Sequence, residues 1–340
     1  MEQRKILLYL FSTHPLLFVL AGNLLGGYYT FLNLFFALVI MTFIERFFGK
    51  EDRADNDLHG IAPDLVILWQ AVSHIIAIAS LLYGIYQGAI TSWFILSAGA
   101  STGLYAGQVG IVNAHELIHR KQYGFRLLGI INLTLVNYAH FYVEHIRGHH
   151  KYVGTLRDPA TARYGETYYH FLLRTIPGQY LSAWQLERER LFKQTKPFWS
   201  INNFILRATL VQLLIMLALG LLSLQVMIGY LACSLMAIIL LEYVNYIEHY
   251  GLVRETGQRV RAVHSWQSDL TFSRYNLIEL SRHADHHNYA SKPYHTLISY
   301  DESPVLPYGY FGCFYYVLIP PLWFRLIHPR IPDASQPVHA

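Results

Sequence analysis

"FRLLGIINLTLVNYAHFYV", residues 125–143, is a run of nineteen mostly apolar residues, and whether it crosses a bilayer decides the fold. A spanning helix takes about 20 predominantly apolar residues. Six other stretches qualify: roughly 6–23, 28–45, 64–86, 90–113, 204–222 and 226–247. If residues 125–143 made a seventh crossing, the histidines before and after it would face opposite sides of the bilayer, and the basic loops would no longer share a side. Residues 125–143 therefore read as a short interfacial or re-entrant helix, which is allowed where protein or water covers its backbone groups. The expected fold is an all-α integral membrane protein: six transmembrane helices in three hairpins, forming one domain over residues 1–340.

Charge gives the orientation. Only 14% of residues are charged, against roughly 25% in soluble domains. The joints Leu24–Gly27, Gln87–Thr91 and Ser223–Val226 carry no Lys or Arg, so all 26 basic residues fall on the other side of the layout. By the positive-inside rule that side is cytoplasmic. It holds both termini and two large segments, 114–203 and 248–340. The net charge of +4 then reflects orientation and not nucleic-acid binding. The N-terminal "MEQRKILLYLF" reads as a first membrane helix: Thr13, His14 and Pro15 break the run, and no small-residue cleavage site follows. With only Cys233 and Cys313, neither a disulfide framework nor a cysteine metal site can be built.

Histidine gathers on the basic side. "HELIH" supplies His115 and His119, "EHIRGHH" supplies His145, His149 and His150, "NYIEHYG" supplies His249, and "RHADHHNY" supplies His283, His286 and His287. Positions i and i+3 or i+4 of a helix share a face and can reach one metal ion. Every box but the lone His249 has that spacing. One ion takes roughly four to six such ligands, so nine imidazoles point to two ions. A carboxylate accompanies each cluster, and Glu116, Glu144, Glu248 and Asp285 are candidates to orient the rings, since ligating histidines commonly give their second N–H to a carboxylate. His140 and His264 are candidates for extra participation. His14 and His74 read as core or cavity groups within spans, and His59, His170, His295, His328 and His339 as ordinary surface or loop residues.

HExxH alone would suggest a zinc peptidase with Glu116 as base, but that site needs three protein ligands and leaves most of the histidines idle. A metal transporter would place ligands along a path inside the spans, and these gather at the span ends. Imidazole suits iron, and a pair of irons handles the electrons needed to reduce O₂ and attack an unactivated C–H bond. An apolar pocket with the metal at its cytoplasmic mouth would admit a hydrocarbon from the bilayer.

"NAHELIHRK", "YVEHIRGHHKYVGTLRDPATAR", "LEYVNYIEHYGL" and "LSRHADHHN" resemble the histidine signatures of integral-membrane alkane 1-monooxygenases, within the membrane fatty acid desaturase and hydroxylase superfamily. "NYIEHYG" discriminates, since general desaturases do not usually carry it. The resemblance implies a di-iron site held by the nine histidines, terminal hydroxylation of medium-chain n-alkanes with O₂, electrons from rubredoxin and an NAD(P)H-dependent reductase, and residence in the bacterial inner membrane. Two places depart from the family pattern, Gly154–Pro159 and "NYASKPYHTL". They leave xylene or cymene methyl monooxygenases as the nearest alternative, with a fatty acyl desaturase as the other enzyme outcome. No CxxC pair or dinucleotide-binding fingerprint is present, so the reductant comes from a separate protein or domain. Arg120, Lys121, Arg147, Lys151 and Arg157 are candidates to meet an acidic carrier. A narrow substrate tunnel between spans is expected, with Trp69, His74, Trp93 and Tyr105 as candidate lining whose plainer reading is packing.

Overall fold

The computed structural model describes residues 2–51 and 58–332. Six of its helices are long and apolar enough to cross a membrane: α1 (Gln3–Leu25), α2 (Gly27–Phe47), α3 (Ala62–Tyr86), α4 (Phe94–His119) and, after an intervening segment, Phe204–Leu222 and Leu224–His249. The intervening segment contributes α5 (Tyr123–Thr134), α6 (141–152) and α7 (Tyr168–Lys193). The last two spans are thus α8 and α9, and a short α10 (His283–Asn288) follows. No β-strand forms among the described residues; two isolated bridges, Lys50 with Leu270 and Gln267 with Val305, staple loops together. This is a multi-pass membrane architecture.

The apolar run 125–143 does not cross. Helix α5 has 12 residues, about 18 Å at 1.5 Å per residue, against a hydrocarbon core of about 30 Å. Asn137 ends it by adopting a left-handed backbone, φ 57°, which asparagine tolerates better than most residues. The Tyr138 N–H then donates to the Leu133 carbonyl at 2.9 Å and the Asn137 N–H to the Thr134 carbonyl at 3.1 Å, the paired bonds of a Schellman stop. The Asn137 amide reaches Ser234 of α9 at 3.0 Å. The re-entrant helix packs back on the end of α4, where a Cβ at Gly129 would meet the Ala114 carbonyl at 3.0 Å.

The fourth span runs further than its apolar stretch suggests. Its sequence reading stopped at 113, but the helix continues to His119, because burial on every side lets polar residues extend it: Asn113, His115 and Glu116 are all buried. Against α9 it presents Gly99, Gly103 and Gly107. A Cβ on Gly103 would lie 2.5 Å from the Cys233 carbonyl, and one on Gly99 2.8 Å from the Gly229 carbonyl. In lipid, where apolar side chains gain little by leaving the solvent, such close backbone approach is what holds helices together. Replacing Gly103 with leucine is expected to cost roughly 1–3 kcal/mol of stability or more, read as a lower thermal midpoint in detergent; an unshifted midpoint would show that the stripe does not hold the pair.

Backbone irregularity concentrates where the site is built. Helix α4 widens into a π-turn over Ala106–Ile111, and α6 does so over His145–His149. Such bulges are uncommon and occur mostly at functional sites.

Candidate metal centre

The structure sorts the nine histidines into two groups. His115, His119, His145, His150 and His286 each bring one ring nitrogen within 4.8 Å of the others, and His149, His249, His283 and His287 do the same. The i, i+4 rule accounts for His115 with His119 and for His283 with His287. It fails for His145 and His149, which join different groups. In a regular α-helix, five residues carry His150 about 140° around the axis from His145. The π-turn takes up the difference, and their Nε2 atoms lie 3.0 Å apart. One widened turn thus lets three histidines in six residues serve both groups.

Within the groups nitrogen faces nitrogen. His249 and His283 approach Nε2 to Nε2 at 3.1 Å, His283 and His287 at 2.9 Å, His149 and His287 at 3.2 Å, and His150 and His286 at 3.1 Å. A neutral imidazole has one donor and one acceptor nitrogen, so a single Nε2 proton cannot serve both of the neighbours that His283 and His287 each face. Two rings declare their tautomer. His149 gives its Nδ1–H to Asp158 at 2.9 Å, and His249 gives its own to the His264 carbonyl at 3.1 Å, leaving each Nε2 lone pair to the group. The Nε2 atoms of His115 and His119 are buried without a hydrogen-bond partner. Burial, reinforced by the neighbouring rings, holds His145, His150, His283, His286 and His287 well below the usual histidine range. Neutral ring nitrogens crowded on one another, two of them without any partner, are the donor set a divalent cation needs.

The carboxylates divide differently. Glu248 places Oε2 3.3 Å from His283 Nε2. Glu116 accepts from Arg120 at 2.8 Å and from the Tyr294 N–H at 3.4 Å, an engagement that leaves it poorly placed as the free base of a peptidase. Asp285 accepts from Lys292 at 2.5 Å, the Ile298 N–H at 2.8 Å and Tyr300 at 3.0 Å, fixing the chain after α10. Glu144 receives Ser182 at 3.5 Å and keeps its other oxygen unpartnered; burial, with Asp158 and Glu242 adding to it, pushes its carboxyl well above the usual range.

Sequence reading missed Asp158. Burial alone would raise its carboxyl, but the His149 ring and the Thr161 hydroxyl at 2.6 Å keep it below the ordinary aspartate range and therefore ionised. Its only signal was its place in "RDPAT", nine residues past His149. Asp158→Asn is expected to weaken metal retention by about 10–100-fold, measured by competition with a chelator; wild-type retention would remove the residue from this role.

Neither additional histidine joins a group by its ring. His264 acts through its backbone carbonyl, and its Nδ1 accepts from the Arg261 N–H at 3.0 Å. His140 packs against Tyr138 and Tyr180. His74 lies on Gly110 and contacts Asn132 at 2.6 Å, tying α3 to α5. His14 stacks on Phe11, His170 meets Glu166 at 2.9 Å, and His328 meets Tyr250 at 2.9 Å. His339 lies outside the described residues.

Two neighbouring cavities lie between α4 and α9, the inner of them against the histidines. The outer one is bounded by Ala37, Leu38 and Thr42 of α2, Leu240 and Tyr243 of α9, and Tyr310, Phe311 and Phe314. The inner one is bounded by His115, His145, His283, Asn245 and Glu248. Gly107, Val112 and Val244 line both. Trp69, His74, Trp93 and Tyr105, the lining the sequence offered, border neither cavity. Trp69 donates to Thr13 at 2.9 Å, Tyr105 to Ser73 at 2.7 Å, and Trp93 is exposed and stacked on Phe94.

The model of the fatty acid desaturase family matches residues 90–317, more than half of the chain. The chain belongs to that family. Among its relatives, this desaturase-family chain is 40% identical to alkane 1-monooxygenase 1 of Pseudomonas aeruginosa over 68% of its own length and 62% of the relative's. It is 38% identical to alkane 1-monooxygenase 2 of Alcanivorax borkumensis over the same shares. The xylene/toluene monooxygenase hydroxylase component of Pseudomonas putida is 29% identical, over 93% of this chain and 86% of that protein. The alkane relatives carry the resemblance that the four histidine signatures announced, but the match spans less than two thirds of their length.

Proposed function

We propose that this chain is a non-heme di-iron monooxygenase that converts the terminal methyl of medium-chain n-alkanes to a primary alcohol. The observation that carries this reading is the pairing of two imidazole groups with an apolar cavity that ends on them, and the names of the relatives support it. His115, His119, His145, His150 and His286 would hold one ion, and His149, His249, His283 and His287 the other, with Asp158 and the His264 carbonyl fixing ring orientation. When bound, the two irons supply the redox chemistry by which one oxygen atom of O₂ enters the C–H bond and the other leaves as water, taking two electrons and two protons.

The protein's own part is placement. Terminal C–H bonds are stronger than internal ones, so selectivity for the end of the chain comes from holding the methyl in line and keeping inner carbons away. Gly107, Val112 and Val244, which line both cavities, would form a neck that does this, and the apolar wall would exclude water.

Electrons would come from rubredoxin and its NAD(P)H-dependent reductase. Of the cations considered for docking, Arg120 is occupied with Glu116 and Asp64, and Arg147 with Glu187. Lys121, Lys151 and Arg157 are exposed and remain available to an acidic carrier. The chain would work as a single domain in the bacterial inner membrane. The joints at 26, 87–93 and 223 carry no Lys or Arg, which supports a cytoplasmic site and termini.

Hydroxylation of a ring-bound methyl is the second reading, favoured by the relative that spans nearly the whole chain. Purified protein supplied with rubredoxin and its reductase is expected to contain about two irons and to yield 1-octanol from octane faster than methylbenzyl alcohol from xylene. The reverse order would favour the second reading, an alkene from an acyl lipid would make it a desaturase, and an active iron-free protein would end the di-iron reading.

A further inference from the structure

Tyr310 lines the outer cavity and also touches a carboxylate beyond it. It is buried, and its phenol donates to Glu248 Oε1 at 2.8 Å. The other oxygen of Glu248 is the one 3.3 Å from His283 Nε2, facing the inner cavity. One carboxylate thus bridges the phenol and a ring of the four-histidine group, so the phenol sets how Glu248 is presented to that group.

The tyrosine is gripped from behind. Its N–H donates to Ser273 Oγ at 3.1 Å, and its carbonyl accepts from the Tyr243 hydroxyl of α9. The turn that carries it wraps the buried carboxylate of Glu45 at the end of α2: Gly312 N–H donates to Glu45 Oε2 at 2.7 Å, and the Ser273 hydroxyl donates to Oε1. Gly309 has a left-handed backbone, φ 71°, and a Cβ there would lie 2.6 Å from the Glu45 carboxylate. Only glycine fits both conditions. The turn is therefore fixed to α2 and α9, and the ring it carries rests its hydroxyl on Glu248.

We propose that Tyr310 is a positioning residue that couples filling of the hydrocarbon cavity to the four-histidine metal site through Glu248. A chain seated in the outer cavity bears on the Tyr310 ring, its hydroxyl shifts, and Glu248 turns relative to His283. The inference rests on the di-iron reading above and adds to it a route by which substrate is sensed.

The test uses the full-length, iron-loaded, reduced protein and follows iron extraction by a ferrous chelator with and without octane. In the wild type, octane is expected to change the extraction rate of one of the two ions several-fold. Tyr310→Phe keeps the ring; it should abolish the octane effect, speed extraction of that ion by about tenfold, and lower kcat while leaving KM for octane within about twofold. Tyr246→Phe, which removes a buried hydroxyl of α9 that bonds the Glu166 carbonyl and lines neither cavity, should keep the octane effect. Adding Tyr310→Phe to Glu248→Gln should change extraction no further, as expected for residues acting in series. Equal effects of the two tyrosine variants, additive behaviour in the double variant, or an unchanged octane response in Tyr310→Phe would each overturn the coupling. A wild type that holds no iron would instead bring down the di-iron reading, and the coupling with it.

Discussion

Replacing His287 with alanine is expected to lower iron from about two ions per chain to about one and to reduce octane hydroxylation by about a hundredfold or more. The size follows from the geometry. His287 Nε2 lies 2.9 Å from that of His283 and 3.2 Å from that of His149, so it joins two otherwise separate members of the four-histidine group. Its loss leaves three imidazoles there, fewer than an ion of this kind usually takes. Losing a group that merely orients a ligand already costs roughly 10–100-fold; losing the ligand itself costs more. His286→Ala makes the contrast, because the five-histidine group would keep four donors: it should retain both ions at saturating iron and release one faster to a chelator. His140→Ala, outside both groups, should leave iron content unchanged. Metal analysis and product yield on the three purified proteins decide the matter, and two irons with full turnover in His287→Ala would remove that residue from the ligand set.

The architecture was legible because lipid imposes a coarse rule. Six runs of about 20 apolar residues, with every basic residue on one side of the layout, leave few alternatives. The fate of residues 125–143 followed from parity, and the structure supplies the local reason in Asn137. That the nine histidines gather was legible as well, since imidazoles at helical spacing at the ends of spans have few other uses. Their division into five and four was not, because it depends on a π-turn at His145–His149 that the periodicity of a regular helix conceals. The carboxylates were read by adjacency in sequence, which is a weak guide on a helix: neighbours i and i+1 point in different directions. Glu248 contacts a ring of the group, but the residue that steadies His149 is Asp158, on a loop nine positions away. The sequence reading expected a tunnel, but the residues that line the two cavities escaped it. A cavity lies where side chains are small and the backbone is displaced, and Gly107, Val112 and Val244 carry no chemistry that would single them out in a chain that is 53% hydrophobic.

That neck is where the second large effect is expected. Val112 and Val244 are nearly fully buried and line both cavities, so an alkane that reached the histidines through this neck would pass between them. Val112→Phe puts a ring into the passage. Overfilling a packed core costs roughly 1–3 kcal/mol, and here the adjoining space accepts part of the added volume, so the protein should fold and keep both irons. Hydroxylation of octane should nevertheless fall by about a hundredfold, the cost of displacing a reacting group by roughly 1 Å. Val112→Ala acts in the opposite sense. A wider neck lets the chain slide, and because internal C–H bonds are weaker than the terminal ones, 2-octanol should appear beside 1-octanol with total turnover changed much less. Iron content, melting temperature and the ratio of the two alcohols separate these outcomes from misfolding. If the phenylalanine variant gave 1-octanol at the wild-type rate, the hydrocarbon would have to reach the metal by another route, and the alignment attributed to these side chains would be lost.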